Sequence, residues 1–353
     1  MHKNNFDLLR LIFASMVVFF HMGILSQNPN LYWMTQYISS LFAVQAFFVV
    51  SGYLVTMSYE KSRSMKEYWR KRISRLAPAY IFVVVFAAVI LSIISEYSFS
   101  EYFSHKDFWR YIFYNLIFAN FSAPSLPGVF LHQFESAINV SLWTIKIEVL
   151  FYASVPLIVL GCRRWGYQRT LATIFLLSLA WREFFYLRGI ATDAEFYFKM
   201  AKQLPGQMVF FCGGAWCYYK TRDGFQLSWK WAAVGVLSYI FATGWFFELV
   251  APIAVTLFVT WAALSLPPVF NVGKYGDFSF GIYLYHAPIV QSLIFFGLFA
   301  FNPFIALMTG VLFVLLMAII SWNFIEKPFL SHRKILPINN NRSSKKKNVS
   351  VAN

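Results

Sequence analysis

Apolar residues in this chain gather in long windows, 18 or more residues with almost no charge, rather than alternating or recurring only at helical intervals. About 20 apolar residues in helical conformation are what a bilayer core of about 30 Å requires, so each window predicts a membrane span. Ten are expected, near residues 8–25, 41–58, 77–95, 141–161, 170–188, 204–220, 229–245, 248–266, 279–298 and 303–322. The predicted fold class is all-α: a polytopic integral membrane protein of about ten transmembrane helices. The stretch 108–121, FWRYIFYNLIFANF, is equally apolar but has only 14 residues. It is expected to lie at the outer interface, where Trp and Tyr are favoured, within an extracytoplasmic loop from about 96 to 140. No internal repeat is visible, which argues against the duplicated halves of many transporters.

Composition agrees: of the 353 residues 59% are hydrophobic and only 13% charged, about half the charged share of a soluble domain. The net charge of +15 changes the picture further. Its basic residues sit in short segments between spans, the pattern that orients membrane proteins, so nucleic acid is not expected as a partner. With the N-terminus inside, 23 of the 30 Lys and Arg face the cytoplasm, and both termini are expected there. Counting 108–121 as a span would carry Arg163, Arg164, Arg169 and Lys345 to Lys347 to the other side. Residues 1–330 are read as one transmembrane domain, and 331–353 as a basic, disordered cytoplasmic tail drawn to anionic lipid. Cys162, Cys212 and Cys217 are too few for a disulfide framework and are expected as small buried hydrophobes, with no metal site. The first apolar run lacks a small-residue cleavage site and is kept as a span.

An ionisable side chain within a span costs on the order of 3 kcal/mol unless paired or hydrated, which makes each one a functional candidate. Arg10 and His21 are 11 residues apart on the first span. They share a helical face at a separation of about 16 Å. His21 is the candidate catalytic base, imidazole being the side chain best suited to proton transfer near neutral pH. Ser141, Thr144, Glu148 and Tyr152 make a polar stripe on the fourth span, with Trp143 beside them. Glu148 either orients and charge-stabilises His21 or pairs with a buried Arg. Lys146 lies off that stripe and has no evident role. On the ninth span Ser279, Tyr283 and His286 share a face, followed by Pro288, which frees backbone groups that a cavity could use. His286 is either a second catalytic or positioning group or a structural one, and Ser141, Trp143, Tyr152 and Tyr283 are candidates to face substrate or to support the fold. Arg72 and Arg75 enter the third span at i and i+3, and with Arg10 they suit the phosphates of a cytoplasmic donor, because guanidinium groups bind phosphate bidentately.

Taken in order, Arg10-x10-His21, FFVVSGYL at 47–54, RISRLAP at 72–78, SLWTIKIEVLFY at 141–152, YLYH at 283–286 and IEKPF at 325–329 resemble the acyltransferase-3 family of membrane O-acyltransferases over nearly the whole chain. The opening MHKNNFDLLRL also looks like bacteriophage-encoded O-antigen acetylases. The fourth-span motif departs from the two acids common in the family, since Val149 follows Glu148, and Lys71 stands where a further Arg is common. The resemblance implies acetyl-CoA as donor, no metal, a bacterial inner membrane, and a sugar hydroxyl of a lipid-linked envelope polysaccharide as acceptor, lipopolysaccharide O-antigen first among them. Exopolysaccharide, peptidoglycan or a small molecule are alternative acceptors. A transporter or flippase for a glycolipid is the rival class, because intramembrane charges also line permeation routes.

Overall fold

A computed structural model describes residues 4–268, 272–274 and 276–331. Residues 332–353 of the expected basic tail therefore lie outside the described residues. Among those described every regular element is helical: α1 (Phe6–Ser26), α2 (Ser40–Glu60), α3 (Met65–Ile90), α4 (Lys106–Leu116), α5 (Trp143–Trp165), α6 (Tyr167–Thr192), α7 (Leu204–Arg222), α8 (Trp229–Phe241), α9 (Gly244–Leu264), α10 (Ser279–Phe295) and α11 (Pro303–Ile320), joined by shorter turns. Seven of them, α1, α2, α3, α5, α6, α9 and α11, are long and apolar enough to cross a membrane. The protein is an all-α polytopic membrane protein. Helices α7, α8 and α10 coincide with three further predicted spans but fall short of that length or apolarity.

One end of the bundle gathers the basic segments. There Glu60 at the end of α2 meets Arg163 of α5 at 3.5 Å and the Tyr219 hydroxyl of α7 at 3.1 Å. Tyr167 at the start of α6 donates to Asp223 at 3.0 Å, just past α7. At the same end, the Asn5 backbone N–H before α1 bonds the Ala263 carbonyl of α9 at 2.9 Å. The opposite end carries the long connection between α3 and α5.

That connection is more than a surface loop. Helix α4 buries Phe108, Tyr111 and Asn115 and exposes Trp109 and Phe113, the one-sided pattern of a helix lying along the bundle. Beyond it, Leu126, Val129, Phe130, Ile138 and Leu142 are buried. Gln291 of α10 donates to the carbonyls of Glu135 at 2.7 Å and Ala137 at 3.1 Å, while Gln133 returns a bond to the Gln291 carbonyl at 3.0 Å. The segment thus packs into the bundle beside α10, and α5 begins below it.

Helix-internal prolines account for two of the long-range bonds. Proline lacks an N–H and orphans the carbonyl four residues earlier. Pro288 frees the Leu284 carbonyl, which accepts Nδ2 of Asn139 at 2.8 Å, and Pro156 frees the Tyr152 carbonyl, which accepts the Tyr68 hydroxyl at 2.8 Å. Each costly break in a helix is used to attach another element.

Close approach of α2 and α7 rests on glycine, as between helices in lipid generally. A Cβ on Gly52 would meet the Phe211 carbonyl oxygen at 2.0 Å, and one on Gly214 the Val49 carbonyl oxygen at 1.9 Å. Backbone cannot step aside as a side chain can. Gly214→Ala is therefore expected to cost roughly 1–3 kcal/mol, the range for overpacking, read as a lower thermal midpoint of the purified protein in detergent. A parental midpoint would show that the crossing is looser than this geometry.

Candidate active site

A cavity of about 560 Å³ opens at the basic end between α1, α2, α3, α5 and α10. Lys61, Lys71 and Arg72 stand among its basic walls, apolar side chains such as Val44, Leu54 and Leu76 line its length, and Thr144 and Tyr283 lie on its walls away from the basic end. Of the predicted α5 stripe, Thr144, Glu148 and Tyr152 all line the cavity. Ser141 and Trp143 do not. Ser141 precedes the helix and donates to Asn139 at 2.6 Å, fastening the outer segment, while Trp143 is half-buried against the core. Lys146 donates to Gln203 at 3.1 Å and lies 4.7 Å from the Phe121 ring centre, away from the cavity.

The three candidate arginines all line the cavity but are held differently. Arg10 and Arg75 both bind Oδ2 of Asp277, and Arg75 also donates to Glu326 at 3.1 Å. Two guanidiniums thus face two carboxylates. Ser279 completes Asp277 with a 2.5 Å bond, and Ser321 donates to Glu326 at 3.0 Å. Glu326 reaches Arg75 from a π-helical turn, Ser321–Glu326, that follows α11; such distortions re-aim side chains. Arg72 is different. It donates to Ser58 at 3.2 Å, its guanidinium carbon lies 5.5 Å from the Tyr152 ring centre, and its Nε is buried with no hydrogen-bond partner. Lys71 pairs with Glu67 at 2.6 Å at the mouth.

The structure separates His21 from Glu148. Glu148 accepts the Ser51 hydroxyl at 2.7 Å and sits in the arginine-lined cavity, whereas Nδ1 of His21 meets Nε2 of His286 at 2.7 Å. The expectation that Glu148 orients His21 is corrected on this point. The helix begins at Trp143, and Thr144 bonds the Tyr283 hydroxyl at 2.6 Å. Glu148 is therefore a further turn toward the basic end, while His286 is nearly a turn the other way from Tyr283. Tyr283 belongs to both regions: it lines the cavity, and its ring meets that of His286 at 5.9 Å between centres.

Asp277, Glu326 and Ser51 carry the site and were not singled out from the sequence. A signal existed: acids are scarce in this chain, 15 against 30 bases, and an acid near a span needs a cation. Ser51 and Glu326 fall inside the FFVVSGYL and IEKPF motifs.

With this geometry in view, comparison with known sequences is decisive. The profile of a family described as an acyltransferase domain matches residues 3–324. The chain belongs to this acyltransferase family. It is 28% identical over 343 residues to an O-acetyl transferase of Shigella phage Sf6, covering 94% of this chain and 97% of that one. It is similar, at 28% identity over 362 positions and 95% of each chain, to nodulation protein 10 of Rhizobium leguminosarum bv. viciae. The O-acetyltransferase OatA of Staphylococcus aureus is 24% identical over 350 positions, 87% of this chain but 55% of that protein. No solved structure matches. The protein is a multi-pass membrane acyltransferase.

Burial alone would raise the Asp277 carboxyl, yet the guanidiniums of Arg10 and Arg75 hold it well below the usual carboxylate range. A carboxyl depressed by folding stabilises the fold fully above its unfolded value, about 4, and that contribution is lost as pH falls through the folded value. Asp277→Asn leaves two buried guanidiniums short of charge and is expected to cost about 3–5 kcal/mol. Thermal midpoints of parent and variant measured from pH 7 downward should converge. A constant difference across that range would exclude Asp277 as the titrating group.

Proposed function

We propose that the protein transfers an acetyl group from acetyl-CoA to a sugar hydroxyl of a lipid-linked envelope polysaccharide, lipopolysaccharide O-antigen in the first instance, at a bacterial inner membrane. The observation that carries the donor assignment is the cavity itself: basic at its mouth, where Lys61, Lys71 and Arg72 stand, and apolar along its length. That is the profile of a thioester whose phosphates stay at the polar end and whose acyl arm extends inward, phosphate being costly to bury deeper. The phage and staphylococcal relatives, named as O-acetyl transferases, support the acyl group and the oxygen acceptor. The basic segments support placing the donor end, and both termini, on the cytoplasmic side.

In this reading Arg72, with Lys61 and Lys71, holds the donor phosphates. Arg10 and Arg75, already neutralised by Asp277 and Glu326, shape the cavity wall. Glu148 balances the charge of Arg72 and fixes Ser51. The acceptor hydroxyl gives its proton to Nε2 of His21 as its oxygen attacks the thioester carbonyl. The carbon–sulfur bond then breaks, and His21 returns the proton to the departing thiolate.

Vesicles containing the purified protein, supplied with acetyl-CoA and lipid-linked glycan, should yield ester-linked acetate on the glycan by mass spectrometry. His21→Ala should insert normally and keep well under a tenth of that product, because general-base effects are about 100-fold or more. Retention of more activity would remove His21 from catalysis, and glycan moved across the vesicle without acetate would favour a flippase.

Arg72→Lys keeps the charge but loses the planar fork, so the apparent affinity for acetyl-CoA should fall about tenfold, the equivalent of about 1.4 kcal/mol. Unchanged affinity would restrict Arg72 to orienting the protein in the membrane.

A further inference from the structure

His286 is wholly buried in α10, and both its ring nitrogens are engaged: Nδ1 with the Tyr283 carbonyl oxygen at 2.8 Å, Nε2 with Nδ1 of His21 at 2.7 Å. A carbonyl oxygen can only accept, so the His286 proton resides on Nδ1 and its Nε2 presents a lone pair. The bond between the rings then requires the His21 proton to be on Nδ1. This leaves the lone pair of His21 on Nε2, to which no described residue donates. The ring planes differ by only 7° with centres 5.0 Å apart, which puts the proton of one ring in line with the in-plane lone pair of the other.

We propose that His286 is a positioning residue for acyl transfer: anchored by the Tyr283 carbonyl, it fixes His21 in the tautomer whose Nε2 can take a proton, and it accepts from the imidazolium that forms. The role rests on the proposed His21 chemistry and goes beyond it. The acceptor proton arrives at Nε2 of His21 as the carbon–oxygen bond forms and leaves to the thiolate when the carbon–sulfur bond breaks. His286 keeps its own proton on Nδ1 throughout. A hydrogen bond from a charged donor is roughly twice as strong as one from a neutral donor, so the His21–His286 bond tightens when charge appears. The pair is uncharged at rest, which suits a site in lipid: a carboxylate behind His21 would carry a standing desolvation cost.

The test compares His286→Gln with His286→Asn in the vesicle assay. The Gln amide oxygen reaches the position of the imidazole Nε2 and can accept from His21, whereas Asn is one methylene too short. Asn should lower kcat about 100-fold while the KM for acetyl-CoA stays within twofold, and Gln should recover kcat to within about tenfold of the parent. Both proteins are first matched to the parent in thermal midpoint; if Asn alone fails that match, His286→Ser, also unable to reach, takes its place. Parental kcat in the short variant, equal impairment of Gln and the short variant, or a change confined to KM would each overturn the proposal. Parallel His21→Ala data separate the two claims: full activity there sinks the base assignment, whereas an inactive His21→Ala with an active short variant sinks only the role of His286.

Discussion

A single carboxylate, Asp277, set between the guanidiniums of Arg10 and Arg75, fixes how the functional helices stand to one another. Two cations close together near a membrane repel, and neither finds enough water to screen it; a shared anion removes both difficulties. Through this residue the start of α10 is tied to α1 and α3, and Arg75 extends the tie to Glu326 beyond α11. The consequence is rotational. His286 lies nine residues beyond Asp277, and each residue turns a helix by about 100°, so a slip of one position would point His286 away from α1. Contact between the two imidazoles therefore depends on an ion pair near the basic end.

The same economy is repeated elsewhere in the bundle. Proline breaks in α5 and α10 release carbonyls that would be costly to leave bare in lipid, and Tyr68 and Asn139 satisfy them. At α10 the segment between α3 and α5 enters the bundle without leaving the Leu284 carbonyl unpaired. It can approach α10 closely because the helix offers it an acceptor.

Much of this organisation was legible from the chain. Long uncharged windows marked the helices, and the short aromatic stretch, read as an interfacial helix because length and charge sidedness both speak against a crossing there, forms the 11-residue α4, which is not among the helices long enough to span. Arg10, Arg72, Arg75, Glu148 and Tyr152 were found by the cost of placing polar groups in spans, and the structure brings them around one cavity. What could not be read was depth. Helical spacing shows which residues share a face but not how far along the bundle each helix begins, and nothing in the sequence shows that the loop before α5 packs into the bundle. Pairing was equally hidden. The same Arg residues could have faced a ligand or an acid, and only the fold shows that Asp277 and Glu326 claim two of them while Arg72 keeps an unmet donor.

The hydrogen bond between Thr144 and Tyr283 has a bearing on the membrane itself. A protein with polar side chains at several depths is at risk of becoming a wire for protons and small ions, and a leak of that kind would dissipate the gradient its host lives on. Tyr283 stands between the wide basic cavity, which it lines, and His286, which its ring meets, and its hydroxyl is bonded to a neighbouring helix rather than left to a column of water. The wall that an acyl group has to negotiate is, for the cell, electrical insulation.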